Sequence, residues 1–313
     1  MIIGRPRAAE PETAYFIRVM GQSNALGYAT HERLANPLNY YGISTGYPAI
    51  IGGQPAYTAT PPDVFIYNKP TALAWDSEYV DDGSWQPYVA GVNSAKNNPY
   101  TGVELSLATR IQEYSGKKVY IIKPCFANTN LQFYFTYTQE PGAWLYTNIH
   151  IAMEHHTRMA MNAFRLANPN VRAVPLVDYW GQGENDAGQD RTAGQYFNDF
   201  VTMYNYRNKF DKANFNLPDN RRILTVIPTL KFTLLANEGV INTSYNDLAA
   251  AYPGDIKVLN TGLLPRKNDL TTAERLPSNG GLSDNTHMSL YALLGLGELA
   301  FSEVVTRGVI QPL

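Results

Sequence analysis

The sequence predicts an α/β fold: a three-layer α/β/α sandwich around a central, mainly parallel sheet. Short apolar runs alternate along the chain with helical patterns, and several of these runs are apolar at every position. Continuous apolar sequence is typical of strands covered by helices on both faces. Strands that alternate with helices favour a parallel sheet held between two helical layers.

The expected strands lie at 15–20, 64–68, 118–124, 173–180, 222–229 and 256–260. Helices are expected at 101–116, 144–169, 191–213 and 287–307. The helix at 144–169 carries an apolar stripe and stops at an Asn-Pro pair. His156 lies on that stripe and is interpreted as a core residue. Cys125 ends an apolar strand and is interpreted as a small buried hydrophobe.

Residues 31–100 do not show this alternation of strand-like and helical patterns. They are rich in Tyr, Pro, Gly and Asn, and they contain Trp75 and Trp85. An irregular stretch of this length inside a domain is usually functional or disordered. Its aromatic content favours an ordered loop that forms one wall of a binding cleft. We therefore interpret 1–313 as a single domain with a loop-rich insertion at about 31–100.

Composition narrows the possible partners and compartments. The formal net charge is −2, which excludes the basic surface that nucleic acids require. No run approaches the roughly 18 apolar residues of a membrane span, and the N-terminus lacks the apolar core of a signal peptide. We expect no membrane partner and a cytoplasmic location. Virion association or non-classical export is expected instead if the substrate is an external polysaccharide.

The first expected strand ends in Gly21-Gln22-Ser23-Asn24. Ligands of open α/β sheets bind beyond the carboxyl ends of the strands. Gly21 permits a sharp turn, and Ser23 then lies at a helix start, where free backbone N–H groups point outward. A hydroxyl placed there can act as a nucleophile, and the adjacent amide can stabilise an oxyanion. Capping of the helix by Ser23 or Asn24 explains the same residues, so this segment alone leaves both interpretations open.

A second polar cluster follows the strand at 173–180. Gln182, Glu184, Asn185 and Asp186 crowd a Gly-rich loop. An amide side chain here can donate to an oxyanion, whereas carboxylates in this position can bind Mg²⁺ or Ca²⁺. A plain turn before a helix accounts for the segment equally well.

The third cluster precedes the last helix, where Asp284 and His287 are three residues apart. At a helix start this spacing lets the carboxylate hold one imidazole nitrogen while the other faces outward. That arrangement makes a general base, since the carboxylate fixes the tautomer and stabilises the imidazolium. A cap formed by Asp284 or Thr286 is the alternative.

Together, in this order, the three clusters resemble the SGNH (GDSL-like) hydrolase superfamily, and more closely its sialate O-acetylesterase and acetyl xylan esterase branch. That branch opens with G-Q-S-N, here residues 21–24. It continues with W-x-Q-G-E, here 180–184, and ends with D-x-x-H before the last helix, here 284–287. The resemblance covers about residues 14–307 and implies the flavodoxin-like sandwich of that superfamily.

The resemblance implies a role for each matching residue. Ser23 would be the nucleophile, His287 the general base and then acid, and Asp284 the partner that orients the imidazole. The oxyanion hole would combine the amide of Ser23, a backbone amide at Asn128 and an amide side chain assigned to Gln182. Supporting roles fall to Gly21, Gln22 and Glu184.

The chain departs from the family pattern in two places. Where the family usually carries Gly-Gly-Thr, this chain has Ala-Asn-Thr at 127–129. Asn128 tolerates left-handed backbone angles better than most non-glycines, so its N–H can still point into the hole. Residues 183–186 also match the more general G-x-N-D block, which makes Asn185 the alternative to Gln182.

The expected function is therefore a serine esterase that removes O-acetyl groups from carbohydrate through an acetyl-enzyme, with no metal or organic cofactor. The sugar recognised would depend on the insertion and on the tyrosine-bearing loop at 130–140. Other readings remain: a catalytically silent carbohydrate-binding or virion structural protein, or an O-acyltransferase. A metal-dependent hydrolase that uses Glu184 and Asp186 is a further one.

Overall fold

The structure, a computed structural model, describes residues 11–27, 29–30, 57, 60–68, 83–94, 100–126, 129–131, 149–230, 236–261, 288, 290–310 and 312–313. Three residues with predicted roles, Asn128, Asp284 and His287, lie outside the described residues. So do most of the predicted insertion and most of the loop at 130–140.

The described strands form a central sheet of seven strands and a separate two-stranded ribbon. The central sheet has the order β4-β3-β6-β1-β7-β8-β9. Its strands are β1 (Thr13–Gly21), β3 (Val64–Asn68), β4 (Ser84–Pro87), β6 (Val119–Ile122), β7 (Arg172–Gly181), β8 (Leu224–Pro228) and β9 (Ile256–Leu259). All neighbouring strands of this sheet are parallel except β3 and β4. The ribbon pairs β2 (Ala29–Thr30) with β5 (Tyr100–Thr101).

Helices cover both faces of the sheet, as predicted. They are α1 (Ser23–Leu26), α2 (Glu104–Ser115), α3 (Ile149–Ala167), α4 (Glu184–Ala187), α5 (Ala193–Phe215), α6 (Glu238–Ala251) and α7 (Leu290–Thr306). α2 packs against α7 on one side, and α3 packs against α5 on the other. α6 packs against α5 and β9. The predicted three-layer, mainly parallel α/β fold is confirmed.

Central strand β1 is buried on both faces because its residues pack alternately into two layers. Ile17 and Val19 lie in the cluster that includes Leu107 of α2. Phe16 packs on the opposite face, edge-on against Phe164 of α3 at 4.8 Å between ring centroids. This two-sided burial explains why the run is apolar at almost every position.

One position of β1 breaks that apolar run. Arg18 is 1% exposed and forms a bidentate pair with Asp178 of β7, at 2.8 and 2.6 Å. Its guanidinium also contacts Asp211 of α5, and Arg207 lies 3.4 Å from Asp178. Glu154 of α3 is also buried, and the charges of these four residues act on its carboxyl. We call these five residues the interior charge cluster.

The structure refines the predicted element list. Helices α2, α3 and α5 and the six predicted strands are confirmed with small shifts in their bounds, and α7 begins at Leu290 rather than 287. His156 and Cys125 are buried, as predicted. β4 and α6 were not predicted. The stretch 31–100 supplies two strands of the central sheet, the predicted β3 and the unpredicted β4, and Trp85 of β4 packs against Phe16.

Within the described residues, no helix combines the length and the apolar character needed to cross a lipid bilayer.

Candidate active site

The candidate site lies at the carboxyl ends of the three central strands. β1 lies between β6 and β7, and the end of β1 contacts both neighbours. Gly21 pairs with Gly181 at the end of β7 and bridges to Cys125, just beyond β6. Phe126 N–H donates to Gly21 O at 2.8 Å, and Gln22 N–H donates to Gly181 O at 2.9 Å. The first two predicted clusters therefore meet, as expected for strand ends in an open α/β sheet.

Only glycine fits at position 21. Its φ is +126°, a region that side chains of L-residues rarely adopt. A Cβ at this position would also overlap the Gly181 carbonyl group. The close approach of the two strand ends brings the Ser23 turn against the loop that carries Gln182 and Glu184.

Ser23 opens the one-turn helix α1 and is partly exposed, while its neighbours Gln22 and Asn24 are each 2% exposed. As the first helical residue, Ser23 has an N–H without an intrahelical acceptor. The N-cap position is Gln22, and no side chain caps this helix. The interpretation of Ser23 or Asn24 as the cap is therefore wrong.

The Asn24 side chain instead joins two distant parts of the chain. Its Nδ2 donates to Glu184 Oε1 at 2.6 Å. Its Oδ1 accepts from the backbone N–H of Met288 at 2.9 Å. Asn24, Glu184 and Met288 are all buried. The residue directly after His287 is thus bonded to the residue directly after Ser23.

Gln182 is 1% exposed, and its amide is held on both sides. Its Nε2 donates to Thr129 O at 3.2 Å and to an oxygen of Asp186. Its Oε1 accepts from the Tyr196 hydroxyl at 2.8 Å. Both N–H bonds of the amide are directed at protein acceptors, so in this arrangement Gln182 ties the second predicted cluster to the segment after β6.

Asn185, the alternative to Gln182, is the partly exposed member of the loop. It lies in the one-turn helix α4, between the buried carboxyls of Glu184 and Asp186. An oxyanion donor has to face the space that a substrate enters. Exposure therefore favours Asn185 over Gln182 for that role.

Burial raises the pKa of both carboxyls in this loop. That of Glu184 rises to about 7, with the Asn24 hydrogen bond acting in the opposite direction. That of Asp186 rises to about 6, opposed by the hydrogen bond from Gln182 and by Arg191. Arg191 forms an ion pair with Asp186 at 3.1 Å, and Leu131 N–H donates to the same carboxyl at 3.0 Å. Each carboxyl thus has protein donors.

Asp186 was also considered as a metal ligand with Glu184. In the part of the chain that the structure describes, no group of three or more His, Cys, Asp or Glu side chains is placed to hold a metal ion.

Cys125 does not suit nucleophilic chemistry, because burial raises the pKa of its thiol far above the ordinary value. Its Sγ donates to Val19 O at 3.1 Å.

Gly27, directly after α1, packs against the backbone of Thr101 and Gly102 at the end of β5. Gly27 has φ +83°, and a Cβ there would overlap the Thr101 carbonyl and Gly102. Behind Gly102, Lys123 Nζ forms a buried ion pair with Glu104 Oε1 at 2.8 Å. Gly102 N–H donates to the same carboxylate oxygen at 3.0 Å. This buried pair holds the backbone on which α1 rests, and no motif in the sequence analysis indicated it.

Comparison with known proteins supports the fold. No protein-family model matches the sequence, and no curated protein matches it. Among solved structures, NanS matches with a TM-score of 0.59 and 15% identity over 96% of this chain and 99% of that one. A protein from Arabidopsis thaliana matches with a TM-score of 0.55 and 13% identity, over 95% and 99% of the two chains.

A carbohydrate acetylesterase from Xanthomonas citri is more distant, with a TM-score of 0.45 and 13% identity over 79% of this chain and 49% of that one. At that score the likeness supports no statement on function.

The fold is an α/β sandwich around a mainly parallel sheet, with a partly exposed serine just beyond the central strand. The two matches above a TM-score of 0.5 each extend over nearly the full length of both chains, so the likeness applies to the sandwich as a whole.

Proposed function

We propose that this chain is a serine ester hydrolase that removes acetyl groups from O-acetylated carbohydrate. Ser23 is the nucleophile, His287 the base and Asp284 its orienting partner. The three sequence blocks that resemble the SGNH esterases support these assignments, and the fold agrees with them. Ser23 itself is partly exposed at the end of a central strand, where a substrate can reach its hydroxyl.

The observation that carries the proposal is the hydrogen bond from Met288 N–H to Asn24. Consecutive Cα atoms are about 3.8 Å apart, so position 287 is one peptide from this bond on one side. On the other side, Ser23 is one peptide from Asn24, whose side chain accepts the bond. The neighbours in sequence of the two proposed catalytic residues are thus bonded to each other, which supports a Ser-His mechanism.

The reaction follows from the chemistry of the groups. Serine is a weak nucleophile until a neighbouring base takes its proton. His287 accepts the proton of the Ser23 hydroxyl as its oxygen attacks the acetyl carbonyl, and it then gives that proton to the departing sugar oxygen. His287 then takes a proton from water as the water oxygen attacks the carbonyl of the acetyl-enzyme. It gives that proton to the Ser23 oxygen as the ester bond breaks, and acetic acid leaves and ionises to acetate.

The negative oxygen of each tetrahedral intermediate needs donors. The amide of Ser23 is one, and the amide of Asn128 is proposed as the second. For the side-chain donor, the contacts of Gln182 with Thr129 and Asp186 favour Asn185. Loss of one such donor typically lowers the rate by about 10²–10³-fold. Asn185→Ala should show that loss if it is the donor, with Gln182→Ala as the comparison.

The test is acetate release from p-nitrophenyl acetate and from a panel of O-acetylated sugars. We expect an active wild type and an inactive Ser23→Ala variant with an unchanged circular dichroism spectrum. No activity on any ester would favour the silent binding protein and would refute the proposal. An excess of acetylated acceptor sugar over free acetate would identify a transferase. Loss of activity on chelation would point to the metal-dependent alternative.

A further inference from the structure

The Asn24 side chain holds a fixed orientation between two partners. The backbone N–H of Met288 can only donate, so it requires the amide oxygen, Oδ1. The other end of the amide must then present Nδ2, which donates to Glu184 Oε1. Both bonds lie within normal hydrogen-bond distance, at 2.9 and 2.6 Å. A flipped amide would satisfy neither partner well.

Glu184 is itself firmly placed. It follows Gly183, whose φ of +135° and contact with Tyr245 leave no room for a side chain. It begins α4 directly after β7, and it is 4% exposed. Its second carboxyl oxygen, Oε2, has no hydrogen-bond partner among the described residues. The hydrogen bond from Asn24 therefore satisfies one oxygen of this buried carboxyl, and the backbone N–H of Glu184 itself is a further donor to the group.

These contacts connect three segments whose relative positions matter for the proposed mechanism. Glu184 lies in α4, the short helix that follows β7, and Asn24 lies in α1, the short helix that follows β1. Met288 lies two residues before the start of α7. A buried polar bridge of this kind is costly to leave half satisfied, since each orphaned group loses its hydrogen bond away from water. The bridge therefore favours one arrangement of the three segments over others.

We propose that Glu184 and Asn24 are positioning residues that fix the backbone at Met288, and thereby the imidazole of His287 relative to the Ser23 hydroxyl. This inference rests on the proposed esterase function. Neither side chain touches the substrate; Glu184 acts on Asn24, and Asn24 acts on the peptide next to His287. A misplacement of about 1 Å in such a base can cost on the order of 10²-fold in rate.

The first test separates positioning from general loss of structure. Asn24→Leu removes both bonds, and we expect kcat to fall about 10²-fold with KM changed less than about threefold. Asn93→Leu is the matched control. Asn93 is also buried, and its amide also bridges two backbone groups, Val89 N and Pro87 O, but it lies beyond edge strand β4. This control should keep the wild-type kcat.

Two substitutions at Glu184 test the other end of the bridge. Glu184→Gln still offers an oxygen to Asn24, so kcat should fall less than about tenfold. Glu184→Leu offers none, and its kcat should approach that of Asn24→Leu. Equal activity of the Gln and Leu variants would overturn the role of Glu184. If Asn24→Leu fails to fold, Asn24→Ser replaces it, because a serine is too short to contact both partners.

Hydrogen exchange at the Met288 amide provides a readout that does not depend on activity. We expect faster exchange in Asn24→Leu than in wild type, and unchanged exchange in Asn93→Leu. If wild type is active while Asn24→Leu keeps both its kcat and its slow exchange, the positioning proposal fails alone. If wild type hydrolyses no ester but exchange accelerates, the bridge exists while the proposed function, and positioning for catalysis with it, is refuted.

Discussion

The interior charge cluster holds two arginines and three carboxyls, so one carboxyl has no cation of its own. Arg18 and Arg207 face Asp178 and Asp211, which leaves Glu154 as the surplus acid. Burial raises the pKa of Glu154 from 4.5 to about 8, with the charge of Asp211 adding to the rise and Arg18 opposing it. At neutral pH Glu154 is therefore largely protonated.

The substitution Glu154→Gln tests this assignment because glutamine resembles the protonated acid in shape and charge. The folded pKa lies above the unfolded one, so the stability contributed by this proton is complete below about pH 4.5 and is lost as pH rises through about 8. Between pH 6 and 9 wild type should lose about 3 kcal/mol that the variant keeps, at about 1.4 kcal/mol per pH unit over the two units below 8.

The assay is urea unfolding of both proteins at pH 6 and pH 9. Buried acids outside the interior charge cluster titrate alike in the two proteins and cancel in the difference, so the difference reports on the cluster. Glu12→Gln, at an exposed position, should differ from wild type by the same small amount at both pH values. If the difference between Glu154→Gln and wild type is equal at pH 6 and pH 9, Glu154 is ionised throughout and the charge count is wrong.

Three further outcomes are expected. Arg18→Met leaves buried carboxylates without their cation and should cost about 3–5 kcal/mol in urea unfolding, whereas Lys118→Met, in an exposed ion pair, should cost under about 1 kcal/mol. Gly21→Ala should cost more than about 2 kcal/mol and abolish esterase activity, because the left-handed backbone and the β7 carbonyl both exclude a methyl group; normal stability would contradict this. Asp284→Asn should lower kcat far more than it raises KM, since His287 loses its tautomer, and an unchanged kcat would remove Asp284 from the mechanism.

The sheet was predictable because its central strands are buried on both faces and therefore apolar at nearly every position. Edge strand β4 was missed since Ser84-Trp85-Gln86-Pro87 is short and ends in proline, a residue typical of edges and turns. Helix α6 was missed because its sequence, EGVINTSYNDLAAA, presents few large apolar residues. Its burial depends on Ile241 and Tyr245, whose partners are distant in sequence.

The location of Ser23 was predictable from a local pattern, a strand that stops at a glycine. The contacts of the Gln182 amide were not predictable, because Thr129, whose carbonyl oxygen accepts from it, lies 53 residues away in the sequence. Asn24 was considered only as a helix cap, since its partners lie 160 and 264 residues away. Local spacing indicates which side chains gather at a strand end, whereas contacts between residues distant in sequence decide which partners each of them has.

The short ribbon of β2 and β5 has a consequence for how this chain tolerates change. Ala29 pairs with Thr101 and Thr30 with Tyr100, so the two ends of the segment 31–99 are held next to each other by the ribbon. Thr101 of this ribbon lies against Gly27, at the end of the turn that carries Ser23, the proposed nucleophile. Because the chain is paired on both sides of residues 31–99, we expect changes of length in that stretch, outside β3 and β4, to disturb the backbone next to Gly27 little.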